Sequence, residues 1–164
     1  MTEVGQVWVI DTATDTVVAK VPVGMHPAHV VLTPDSRFAY VTNGGENTIS
    51  VVDTEARRVV ATIPVGAYPH GIRISPDGKQ AYVANLKGGT VSVIDTEARK
   101  EIAKIPVGKG PAQVGFTPDG RYAYITNIYA NSVSVIEVKE LKVVATVPVG
   151  KGPNGISVTS CPAC

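Results

Sequence analysis

The sequence predicts an all-β protein whose four-stranded antiparallel sheets stand side by side as the blades of a β-propeller. Three observations predict it. The tripeptide Pro-Val-Gly returns every 42 residues, at Pro22-Val23-Gly24, Pro64-Val65-Gly66, Pro106-Val107-Gly108 and Pro148-Val149-Gly150, with no insertion or deletion between copies. Short β-rich runs alternate with turn residues at fixed offsets, as in Tyr40-Val41-Thr42-Asn43, Tyr82-Val83-Ala84-Asn85 and Tyr124-Ile125-Thr126-Asn127. No stretch keeps a helical period over about ten residues. A fixed period of this length means one supersecondary unit copied and stacked.

The unit 25–66 shows why each element forms. Residues 28–33 are a short β-rich run, stopped by Pro34-Asp35-Ser36, which becomes Pro76-Asp77-Gly78 and Pro118-Asp119-Gly120 in the next copies. Proline sets φ, aspartate bonds the backbone that follows it, and glycine accepts positive φ, so the chain turns back. Phe38 to Asn43 make the second strand, Asn43-Gly44-Gly45-Glu46-Asn47 the next turn, and Thr48 to Asp53 a third strand with period-2 alternation. Asp53-Thr54, like Asp11-Thr12 and Asp95-Thr96, reverses the chain again, because a short carboxylate or hydroxyl satisfies turn amides locally. Residues 59–63 form the fourth strand, ended by Pro64. Such a sheet is apolar on both faces and needs neighbours, and four-stranded units of this length stack radially.

The copies divide the chain into a partial blade 1–24 (strands Gln6–Asp11 and 16–21), full blades 25–66, 67–108 and 109–150, and a lone inner strand within 151–160, over 154–159. A tail, 161–164, follows. Units 25–66 and 67–108 share 20 of 42 residues, surface turn included, which points to recent duplication or consensus design. Three outcomes stay open for the ends. Two chains build an eight-bladed ring with shared junction blades, one chain closes as a four-bladed ring, or the sequence is part of a longer one. Uncovered sheet edges and faces favour self-association.

Composition excludes several classes. The net charge of +1, from 15 basic and 14 acidic residues, gives no footprint for nucleic acid. No apolar run approaches the length of a membrane span. Met1-Thr2-Glu3-Val4 lacks the basic and apolar regions of a signal peptide.

Candidate chemistry is sparse. His26, His29 and His70 lie in loops leading from a fourth strand into the next first strand, toward a propeller's central channel. Imidazole suits Zn, Cu and Fe, but His70 is replaced by Ala28, Ala112 and Asn154 in the other copies and His29 by Gly71, Gln113 and Gly155. No ring of ligands forms within one chain, so no metal and no cofactor are expected. Cys161-Pro162-Ala163-Cys164 has the spacing of a redox pair, half a zinc site or a truncated haem attachment. Without a βαβ pattern or a second cysteine pair, a plain tail is the simpler reading. Ser50, Ser92 and Ser134 recur mid-strand as structural residues, and no nucleophile stands out. Trp8 takes their place in the partial blade and is expected to fill a blade surface or junction, while Tyr40, Tyr82 and Tyr124 are expected in the core between blades.

The phrases Ala39-Tyr40-Val41-Thr42-Asn43, Val93-Ile94-Asp95-Thr96, Ala61-Thr62-Ile63-Pro64-Val65-Gly66 and Tyr68-Pro69-His70-Gly71 resemble the YVTN-type β-propeller repeat over essentially the whole chain. The resemblance implies proteins that are extracellular, at the cell surface or periplasmic. It also implies relatives among lactonase-like enzymes and the haem-carrying propellers of cytochrome cd1-type nitrite reductases. The expected function is a non-catalytic scaffold for binding or assembly, partnered with copies of itself. The alternatives are a fragment of a redox or haem-binding propeller, or a repeat assembly without native function. The residues expected to face a ligand are His26, His29, Tyr68, His70, Gln113 and Asn154.

Overall fold

A computed structural model describes residues 5–159, and among them every regular element is a strand. The strands are β1 (Gln6–Asp11), β2 (Thr16–Pro22), β3 (Pro27–Leu32), β4 (Phe38–Asn43), β5 (Thr48–Asp53), β6 (Arg58–Pro64), β7 (Pro69–Ile74), β8 (Gln80–Asn85), β9 (Thr90–Asp95), β10 (Lys100–Pro106), β11 (Pro111–Phe116), β12 (Tyr122–Asn127), β13 (Ser132–Glu137) and β14 (Lys142–Pro148). They form one two-stranded sheet, β1–β2, and three four-stranded meanders, β3–β6, β7–β10 and β11–β14. All pairings are antiparallel. The proline that opens each inner strand and the one that closes each outer strand sit at ladder ends, where a missing N–H costs least.

The turns close as their residues dictate. Asp35 accepts from the Arg37 amide at 3.0 Å and from the Thr33 hydroxyl at 2.5 Å, and Asp77 and Asp119 repeat the arrangement with Ser75 and Thr117. The donated hydroxyl, then the amide, hold all three carboxyls below their ordinary range. Residue three of this turn has positive φ, 58° at Ser36, 75° at Gly78 and 70° at Gly120, so glycine is the unstrained choice in the later copies. At the outer hairpin, Asp53 accepts from the amides of Glu55 and Ala56 at 3.1 and 2.8 Å.

The core lies in three seams between sheets. One joins Val21, Val23, Ala39, Val41 and Val52; the second gathers Tyr40, Ile49, Ile63, Ile72 and Ile94; the third gathers Tyr82, Val91, Ile105, Val114, Ile125 and Ile136. Tyr40 is fully buried and donates to the Thr96 carbonyl of the next blade at 2.9 Å, and Tyr82 meets Phe116 edge-on at 5.0 Å. Tyr124 is only half-buried, because no further sheet covers β12 among the described residues. Inner strands pack in the series β3–β7–β11 and outer strands in the series β2–β6–β10–β14. The two-stranded sheet has no comparable packing on β11–β14, so the described blades form an open arc and not a self-closed four-bladed ring.

One expectation is corrected. Residues 154–159 run alongside β11, where Ile156 and Val158 flank the Gly115 backbone, but they form no ladder. A strand is defined by its hydrogen-bonded neighbour, and none stands beside this segment among the described residues. Of the two places expected for Trp8, a blade surface or a junction, it takes the surface: it is 54% exposed, with Lys20 4.3 Å above its ring. Its counterparts Ser50, Ser92 and Ser134 are buried against a second strand that the first sheet lacks.

Candidate functional site at the hub

The loops entering β3, β7 and β11 share a left-handed residue two positions after Gly24, Gly66 and Gly108: His26 (φ 51°), Tyr68 (φ 56°) and Gly110 (φ 69°). Their carbonyls accept from Gly44, Leu86 and Ile128 at 3.0, 2.9 and 2.8 Å, which pins each loop to the next turn of its own blade. The His26 ring rests on Gly45, and the Tyr68 ring lies 4.2 Å beneath the Lys87 ammonium. Both side chains thus belong to the turn row.

The strands that follow bring three of the six expected residues together. His29 on β3 and His70 on β7 stand with ring centroids 4.6 Å apart at 58°. Gln113 on β11 reaches across the intervening blade, its Nε2 2.9 Å from His29 Nε2. His70 Nδ1 lies 3.2 Å from the Ala112 carbonyl, which only accepts, so this nitrogen is the donor. Asn154 is exposed on the unpaired segment. One set, His29–His70–Gln113, therefore forms at the hub, and His26, Tyr68 and Asn154 are not part of it.

The sequence did not mark the groups that position this set. Thr42 accepts from the His29 amide and donates to the His70 carbonyl, both at 2.9 Å, stitching two inner strands through one hydroxyl. Gln113 is held in the same way, its amide donating to Thr126 at 3.1 Å. The available signal was the alternation Thr42, Ala84, Thr126 at one repeat position. Arg73 is exposed at the position of Val31, Gly115 and Ser157 and bears on the electrostatics of the pair.

His29 Nδ1 is buried without a hydrogen-bond partner. Burial, then the charges of His70 and Arg73, push the His29 pKa below its ordinary value. The folded protein therefore holds this proton less tightly than the unfolded chain does. His29 stabilises the fold fully above the ordinary imidazole range, and that contribution is lost as pH falls through it. Lowering pH from about 7.5 to about 5 is expected to lower the melting temperature, and His29→Gln to flatten the dependence. Equal slopes for both proteins in thermal melts across this range would refute it.

Among the described residues no three His, Cys, Asp or Glu side chains converge as a metal site. No helix among them is long and apolar enough to cross a membrane. Cys161 and Cys164 lie outside the described residues.

An open series of four-stranded blades around a hub lined by inner strands defines a β-propeller segment. Residues 1–113 match the family model described as the cytochrome D1 heme domain, and residues 69–160 match that of the seven-bladed β-propeller lactonases. The chain belongs to this cytochrome D1- and lactonase-type β-propeller family. No curated protein sequence matches it. Among solved structures, hydrazine synthase of Kuenenia stuttgartiensis is similar at 33% identity and a TM-score of 0.81, over 87% of this chain and 42% of that one. The dihydro-heme d1 dehydrogenase NirN, in complex with DHE, shares the fold at 20% identity and a TM-score of 0.74, over 93% of this chain and 35% of that one. The chain thus spans about two fifths or less of the length of either.

The first family name implies a haem, and the facing His29–His70 pair does not fit one held between its rings. His29 and His70 face each other at 4.6 Å, leaving no gap for a macrocycle between them, and His29 Nε2 is engaged by Gln113.

Proposed function

We propose that the chain is a non-catalytic propeller scaffold for binding and assembly, which associates with copies of itself through the blade faces at the ends of its arc. The observation that carries this reading is a comparison within one repeat position. Val30, on β3, is 55% exposed, whereas its counterparts Ile72 and Val114 are 5% and 1% exposed. The side chains are alike; what differs is that, among the described residues, an inner strand stands before β7 and before β11, and none before β3. Leu32, Ile10 and Trp8 extend the uncovered apolar surface, which lines a groove of about 640 Å³ between the first two sheets. At the other end Val144, Val147 and Val149 are exposed. Contiguous apolar surface of this kind drives association.

Two chains closing on one another make an eight-bladed ring, with His29, His70 and Gln113 offered to a ligand at its hub. The YVTN-type repeat supports a setting outside the cytoplasm: extracellular, cell-surface or periplasmic. Native mass spectrometry and sedimentation test the reading. Twice the chain mass is expected, and the chain mass alone at every concentration up to about 100 µM would overturn it, since specific interfaces of ordinary size hold at micromolar levels or below.

A further inference from the structure

We infer that the surface covering β3 in the assembled protein is the segment 154–159 of a second copy, seated as an inner strand in a fixed register. This rests on the self-association proposed above and names the contact that makes it.

The repeat supplies the register. Inner strands present alternate residues to their two neighbours, since successive side chains of an extended chain point to opposite sides. His29 on β3 faces His70 on β7, and Gly71 on β7 lies against Ala112 and Gln113 on β11. Gly115 on β11 lies against Ile156 and Val158, so the unpaired segment already occupies an inner-strand place at its own end of the arc. In steps of 42 residues, Ile156 and Val158 are the counterparts of Val30 and Leu32, and Ser157 is the counterpart of Gly115. Among the described residues, the set that meets the preceding strand is uncovered on β3, and the set that meets the following strand, Gly155, Ser157 and Thr159, has no following strand. A Cβ on Gly155 would meet nothing within 4 Å.

Each end of the arc therefore lacks what the other end carries. Placing Ser157 of one copy over Val30 and Leu32 of another reproduces the contact of Gly115 with Ile156 and Val158. A two-fold axis makes both contacts at once, giving a closed pair and not a filament. The segment takes the first-strand place in the sheet of β1 and β2, with the width of one strand between it and β1. The contact is thus face packing against β3 and not a ladder on β1. Small residues on the segment suit it, because they let two backbones approach as Gly115 does.

Engineered disulfides test the register, in a background with Cys161→Ser and Cys164→Ser. Val30 and Ser157 of one chain stand at opposite ends of the arc, so a Val30→Cys/Ser157→Cys bond must join two copies within the short Cβ separation a disulfide needs. Oxidised glutathione is expected to convert most of the double variant to a covalent dimer that thiol reverses. Ile102→Cys/Ser157→Cys, which uses an exposed site on β10, is expected to stay uncrosslinked. A dimer by native mass without the 30–157 bond would overturn this register and leave self-association standing, with another surface on β3. Absence of any dimer, in the variant and the parent, would overturn both. Equal cross-linking of the control pair would show random collision and overturn the register.

Discussion

Ile72→Ala is expected to destabilise the protein by about 2–5 kcal/mol, whereas Val30→Ala, at the same repeat position, is expected to stay within about 0.5 kcal/mol in the single chain. Ile72 is 5% exposed in the seam between β3–β6 and β7–β10, beside Tyr40, Ile49 and Ile94, so truncation removes apolar burial and leaves a cavity. Val30 has water on the side where Ile72 has β3. Urea unfolding of both variants at low concentration, where the single chain prevails, decides it. Equal losses there would mean that β3 is already covered within one chain. At high concentration the Val30→Ala loss is expected to grow, since a partner that binds only the folded form adds stability by mass action.

Asn85→Ala is the second large effect, about 1–3 kcal/mol. The Asn85 amide is buried and donates to Thr90 Oγ1 at 3.0 Å and to Ser92 Oγ at 2.9 Å. Ser92 in turn accepts from the Gly66 amide at 3.2 Å. One side chain thus ties the β8–β9 turn to the loop that follows β6 in the preceding blade. A Cβ added to Gly66 would collide with that amide, so the loop approaches Asn85 as closely as glycine allows. Alanine leaves the buried hydroxyl of Ser92 short of a donor and opens a void beside Gly66. Thermal melts of Asn85→Ala and, as an exposed comparison, Asn154→Ala measure it; matching midpoints would refute the tie.

What the sequence disclosed follows from what a repeat encodes. Pro34-Asp35, Asp53-Thr54 and the Pro-Val-Gly words act within a few residues of themselves, so β1, β4 and β5 fall at the residues expected and the ends of β2, β3 and β6 within one residue. The hub depends on how one blade is rotated against the next, which no local pattern records. His29 and Gln113 occupy one repeat position yet bond across a blade, and His26, only three residues before His29, faces elsewhere because the left-handed residue turns the loop. Thr42 was legible only as a strand residue, although its hydroxyl serves two strands. The segment 154–159 has the composition of a strand and lacks only a neighbour.

The three seams have a consequence for how such a molecule lengthens. Each draws its side chains from two adjoining sheets, so a newly inserted unit would arrive carrying half of two seams and require nothing from sheets farther away. A duplicated module is thereby accommodated by its immediate neighbours, and energetic coupling decays from one module to the next, as in a one-dimensional lattice.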